Sequence, residues 1–196
     1  MEKTVTTTYL EMTSHSSLCP ARSKGLPLEV VRAEIPCPEL NRFLYAAVGA
    51  DWWWHARLSW TYDQWLAYLD RAELETWVGY VRGTPAGYYE LEQQNTDVEL
   101  VCFGLMPSFV GKGIGGALLT SAVERAWSLG AKRVWVHTYD LDHAAACKNY
   151  EARGFRAYRR ETKTEMVPDA MLEPWPGASR RAVQQSVAAD GASPRR

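Results

Sequence analysis

The chain has 196 residues, 46% of them hydrophobic and 12% aromatic, enough for one domain of ordinary size with a real core. Its net charge of −1 gives no electrostatic footprint for nucleic acid or an anionic membrane. No run of about 18 apolar residues reads as a membrane span, the first residues lack the apolar core of a signal peptide, and Cys19, Cys37, Cys102 and Cys147 have neither metal-ligand nor disulfide spacing. A cytoplasmic chain without a metal is expected.

In chain order, residues 1–27 are polar and read as an N-terminal extension, in which Thr7–Met12 can add an edge strand. Leu28–Ile35 alternates like a first strand. Pro38 stands where helices begin, and Leu40, Phe43, Leu44 and Ala47 recur at helical spacing up to Gly49. A second helix is expected from Thr61 to Arg71, with Trp65, Leu66 and Leu69 on one face. Strands at 76–82 and 86–93 form a hairpin across Gly83-Thr84-Pro85, and Asn95-Thr96-Asp97 turns the chain into a strand at 98–106. Ile114, Ala117, Leu118, Ala122, Ala126 and Leu129 make the stripe of a third helix, stopped by Gly130. Lys132–Tyr139 is β-branched and aromatic, hence a strand. Asp142 can cap a helix over His143–Arg153 that Gly154 ends. Phe155–Thr164 reads as the last strand. The domain proper therefore spans 28–163, and residues 164–196 read as a tail, mobile beyond Pro168.

Between the strand at 98–106 and the third helix lies Val110-Gly111-Lys112-Gly113-Ile114-Gly115-Gly116. Glycines this dense let backbone N–H groups turn toward one point, and a helix starting there adds unpaired N–H groups and the positive end of its dipole. That is the chemistry of an anion site, suited to a phosphate-bearing cofactor. The run also satisfies G-x-G-x-x-G, but Pro107–Val110 separates it from the strand and the elements upstream are antiparallel, unlike a dinucleotide unit. Lys112 is followed by Gly113, so no Walker-type loop is present. A turn that binds nothing is the bland alternative.

The segment Val98–Phe155 resembles the acetyl-CoA-binding core of the GNAT (Gcn5-related N-acetyltransferase) superfamily. Val110–Gly115 stands at the family's Gln/Arg-x-x-Gly-x-Gly/Ala motif, with Gly113 and Gly115 at its defining positions and Val110 departing from Gln or Arg. Tyr150-Glu151-Ala152-Arg153-Gly154-Phe155 matches the Tyr-x-x-x-Gly-Phe ending of the fourth helix, and His143 stands where Asn is common. The resemblance implies an α/β (α+β) fold: a mixed, mostly antiparallel sheet, splayed between the family's fourth and fifth strands and flanked by about four helices. It implies acetyl-CoA as cofactor, held by backbone groups of Leu105 and Met106 and of Val110, Gly111, Lys112, Gly113, Ile114, Gly115 and Gly116, with His143 and Tyr150 alongside. It also makes Glu99 the general base and Tyr150 the general acid. Period-two geometry would put Glu99 on the same strand face as Leu105. The bland readings are an ion-paired Glu99 and a half-buried, hydrogen-bonded Tyr150.

Only about 0.1% of an alkyl amine is unprotonated at pH 7, so acyl transfer to nitrogen profits from a base near the acceptor. The acceptor wall is expected at Trp52, Trp53 and Trp54, since consecutive tryptophans cannot all face one core. An ammonium could be oriented by Asp51 or Glu90, and a substrate carboxylate held by Arg57. His55 and His137 belong to the same candidate substrate site, although lone histidines are more often structural. A small apolar or aromatic amine or amino acid fits best. A protein or peptide amine, and a CoA-binding module without turnover, remain open, and the resemblance leaves room for a homodimer.

Overall fold

The structure, a computed structural model, describes residues 1–169. Seven strands alternate with four helices: β1 (Glu2–Met12), β2 (Glu29–Ala33), α1 (Pro38–Gly49), α2 (Tyr62–Leu69), β3 (Leu74–Val81), β4 (Thr84–Gln94), β5 (Asp97–Leu105), α3 (Gly115–Ser128), β6 (Arg133–Tyr139), α4 (Ala146–Ala152) and β7 (Arg156–Met166). They form one sheet in the order β2-β3-β4-β5-β6-β1-β7. Every neighbouring pair is antiparallel except β5 and β6. That parallel pair matches residues 97–100 to 133–136 only. Beyond Leu100 the two strands part, which is the expected splay.

A β-bulge sits at the parting point. Leu91 pairs with Leu100 and Glu90 with Cys102, so Val101 has no partner. A bulge reverses the facing of everything beyond it. Leu100 and Leu105 therefore share the face covered by α3 and α4, while Glu99 points to the opposite face, beside Glu92. Simple alternation from Glu99 to Leu105 does not hold.

Each face has its own apolar cluster. Leu100, Leu118, Leu119, Val123, Val134, Val136 and Phe155 join β5, β6, α3 and the residue before β7 on one side. Leu44, Val48, Trp65, Leu74 and Tyr88 join α1, α2, β3 and β4 on the other. Leu118 is fully buried, so truncation to Ala is expected to cost about 2–5 kcal/mol. Pro38 opens α1 and Thr61 caps α2 in a reciprocal capping box with Gln64, as their chemistry favours.

Several boundaries differ from expectation. The strand read as an edge at Thr7–Met12 runs from Glu2 to Met12 and lies inside the sheet, between β6 and β7. The segment read as an extension thus supplies a sheet strand. The β3–β4 turn is Arg82-Gly83, both with positive φ (51° and 77°), the twist-matched hairpin turn. Asp142 does not cap α4: its Oδ2 accepts from the Thr138 hydroxyl (2.7 Å) and the Tyr139 N–H (2.9 Å). The helix starts later, at Ala146, with Ala145 before it. Strand β7 extends to Met166, and the expected tail from Ala170 onward lies outside the described residues.

Candidate active site

Where β5 and β6 diverge they leave a cleft of about 330 Å³. Its walls are Val101, Phe103, Gly104 and Leu105 of β5, Val136, His137 and Tyr139 of β6, and Ala146, Asn149 and Tyr150 of α4. Val48, Trp52 and Trp54 from the α1 side and Val110, Gly115 and Gly116 from the glycine loop add to the lining. The splay is therefore the physical origin of the cavity, since two strands that stop pairing must leave space between them.

The glycine loop is built as an anion cradle. Gly111 and Gly113 both have φ of 77°, a conformation that L side chains rarely adopt. Among the described residues, the N–H groups of Gly111, Gly113, Ile114, Gly115, Gly116 and Ala117 have no acceptor, while Lys112 N–H goes to Phe109 O (3.2 Å) and Leu118 N–H to Ile114 O (3.0 Å). These donors lie at the N-terminus of α3, so dipole and hydrogen bonding favour the same negative charge. The residues present fit a diphosphate. The N-cap position of α3 is filled by Ile114, whose side chain has no oxygen.

Tyr150 lines the cleft, 5% exposed, with its ring 6.0 Å from those of Phe103 and Phe155. Its hydroxyl has no hydrogen-bond partner among the described residues, and burial, followed by the Asp142 carboxylate, raises its pKa above the ordinary phenol value. It stays protonated throughout the neutral range.

Glu99 does not line the cleft; His137 does. Glu99 is 8% exposed, with Gln94 Nε2 donating to its Oε2 (2.7 Å) and His137 Nδ1 3.1 Å from its Oε1. The His137 contact is close but lacks hydrogen-bond alignment. The carboxylate thus stands one residue behind the cavity wall, with the imidazole between.

The tryptophan run divides. Trp52 meets His143 edge-on at 4.9 Å, and Trp54 Nε1 donates to Asp142 Oδ1 (3.4 Å), so both bridge from the α1 end to the far side of the split. Trp53, with φ of 62°, turns away and takes Lys3 Nζ over its ring at 4.1 Å. His55 Nδ1 lies 2.7 Å from Trp53 O, and neither His55 nor Asp51 lines the cleft. Arg57 and Glu90 are also elsewhere. Glu90 is fully buried and receives hydrogen bonds from Arg57 (2.9 Å), Tyr68 (2.8 Å) and Asn41 (3.0 Å). His143 and Leu105 line the cleft; Met106, adjacent to it, donates its N–H to Ala86 O (2.9 Å).

Asp142, Asn149, Phe103 and Gly104 are cleft residues that sequence reading did not single out. Asp142 was legible only as a helix cap, and Asn149 falls where a helix of the expected length carries any polar residue. Cys102 is buried on the α1–α2 side, and burial, then the nearby Glu90 carboxylate, raises its thiol pKa above the ordinary value. It does not line the cleft.

A splayed sheet with a glycine loop feeding α3 and a tyrosine from α4 in the split is an arrangement with known counterparts. The model of the acetyltransferase (GNAT) family matches residues 37–155, more than half of the chain. The chain belongs to the GNAT acetyltransferase family. Acetyl-CoA is the cofactor of this family. No curated protein matches. Among solved structures, a GCN5-related N-acetyltransferase from Sphaerobacter thermophilus superposes with a TM-score of 0.62 at 15% identity, over 86% of this chain and 54% of that one. A Bacillus subtilis acetyltransferase in complex with CoA gives 0.51 at 24% identity, over 66% and 77%. The Escherichia coli ribosomal-protein-S18-alanine N-acetyltransferase gives 0.53 at 18%, over 66% and 78%. At these identities the likeness is one of fold. The chain spans 54–64% of the length of the first four structures it matches. Among the described residues, no helix of this GNAT chain is long and apolar enough to cross a membrane, and no cluster of metal-ligating side chains occurs.

Proposed function

We propose that this GNAT chain is an acetyl-CoA-dependent N-acetyltransferase whose acceptor is a small amine with an apolar or aromatic body, acetylated by direct attack in a ternary complex. The observation that carries this reading is that His137 and Tyr150 line one largely apolar cleft together with Val110, Gly115 and Gly116 of the glycine loop. When bound, acetyl-CoA supplies a thioester already activated toward attack. The loop amides of Gly111 and Gly113–Ala117 hold its phosphates. Trp52, Trp54 and Asp142 line the cleft; the two rings would flank the acceptor body and the carboxylate would act as a counter-charge to its nitrogen. His137, backed by Glu99, removes the ammonium proton; the carboxylate stabilises the imidazolium that results. The Tyr150 hydroxyl holds a proton at the cleft for the departing sulfur. Cys102 has no part in this scheme, because a buried thiol outside the cleft and hard to ionise is a poor acyl carrier.

The test is release of free thiol from acetyl-CoA against a panel of amines, amino acids and short peptides. Turnover with small aromatic or apolar amines supports the reading. Turnover confined to peptides would replace the acceptor class, and CoA binding without turnover on any acceptor would reduce the chain to a binding module.

A further inference from the structure

Val110 occupies the place of the polar side chain of the phosphate loop and has nothing to offer an anion. A cation reaches the loop by another route. The segment from Cys19 to Leu26 runs across the start of α3: Cys19 N–H bonds to Arg153 O (3.1 Å), Ala21 N–H to Thr120 Oγ1 (2.9 Å) and Lys24 N–H to Gly113 O (3.4 Å). Beneath this strap lies the Arg153 guanidinium. A Cβ added at Gly116 would stand 2.5 Å from Arg153 Nη1 and 3.1 Å from Ala21 Cβ. Arg153 Nη1 therefore fills the space that any side chain at position 116 would take, within the first turn of α3.

That placement is electrostatically adverse as it stands. The α3 N-terminus has no side-chain cap and no acidic residue in its first turn. The Arg153 side chain makes no ion pair among the described residues, and its one hydrogen bond there is Nε–H to Ala152 O (3.0 Å). Lys24 and Lys112 lie exposed beside Gly113. A guanidinium, a helix N-terminus and unpaired amides repel one another unless an anion sits between them. We infer that Arg153, seated by the 19–26 strap and admitted by Gly116, is the side-chain half of the diphosphate site, standing in for the polar residue that Val110 lacks. This rests on the acetyl-CoA reading of the loop.

The test is calorimetric affinity for CoA and for 3′-dephospho-CoA, which share the diphosphate. Arg153→Ala should weaken both by about tenfold, the usual worth of a charge-assisted hydrogen bond. Gly116→Ala should fold normally, because alanine favours a helix, but its methyl displaces the guanidinium and should cost a similar factor. The double variant should bind no worse than either single one, since both remove one interaction. Arg153→Ala affinity within twofold of the parent, a loss seen with CoA but not with 3′-dephospho-CoA, or additive losses in the double variant would each overturn the assignment. A parent chain that binds neither compound would sink the cofactor reading itself, and this inference with it.

Discussion

Glu90 on β4 and Glu99 on β5 are both carboxylates buried on the α1–α2 face of the sheet, yet their surroundings differ in kind. Glu90 is saturated: Arg57 supplies the opposite charge, Tyr68 and Asn41 add two further hydrogen bonds, and it does not line the cleft. The Arg57 guanidinium is itself stacked over Tyr68 at 4.3 Å. Glu99 has Gln94 on one oxygen and, on the other, a histidine that opens to the cleft. Burial alone thus does not mark a working carboxylate. What separates the two is whether one side of the charge is left to a group that can exchange protons with a ligand.

Substitutions should break this pair apart along that line. The largest effect is expected at Glu90: replacement by Ala strands the Arg57 charge in the interior and should cost about 3–5 kcal/mol of unfolding free energy in denaturant titrations. A loss below about 1 kcal/mol would show that water reaches the Arg57 charge. Glu99→Gln should leave stability within about 1 kcal/mol of the parent but lower kcat about 100-fold at neutral pH. His137→Gln should behave alike, and both deficits should shrink as pH rises and free amine accumulates. A His137 variant with the parent pH–rate profile would return the base role to Glu99 alone. Tyr150→Phe should slow turnover by about tenfold with unchanged CoA affinity. Because the Tyr150 pKa is raised, its proton is retained where an ordinary phenol would lose it, so the parent rate should not decline through pH 10. A descending limb there would mean that Tyr150 titrates normally or that another acid serves. The smallest change is expected at the aromatic wall: Trp52→Ala should reorder acceptor preference by a few-fold, whereas Trp53→Ala, which turns out of the cleft, should not.

The glycine loop and most of the strands and helices were legible because each depends on local pattern: φ above zero, helical period, period two; Tyr150 came from the resemblance to the family's Tyr-x-x-x-Gly-Phe ending. The bulge at Val101 was not. It arises from how β5 must leave β6 while still pairing with β4, a three-strand property with no local signature, and it is what moved Glu99 off the Leu105 face. Arg57 and Glu90 looked like a substrate site because isolated charges in an aromatic run suggest one; their satisfaction by each other is a tertiary fact. Asp142 was misplaced for a related reason, since a capping residue and a loop-bracing one have the same composition. Trp53 differs from Trp52 and Trp54 only by a left-handed backbone that three identical side chains in a row do not disclose.

The first strand carries a kinetic consequence. β1 lies between β6 and β7 and pairs Glu2 with Met166, so the first of the described strands joins the last two. During synthesis those eleven residues have no strand neighbours to join until β6 and β7 have emerged. Contacts this distant along the chain make for slow folding. Newly made molecules should therefore pass through a stage in which the outer side of β6 is an open strand edge, able to recruit the first strand of another nascent copy.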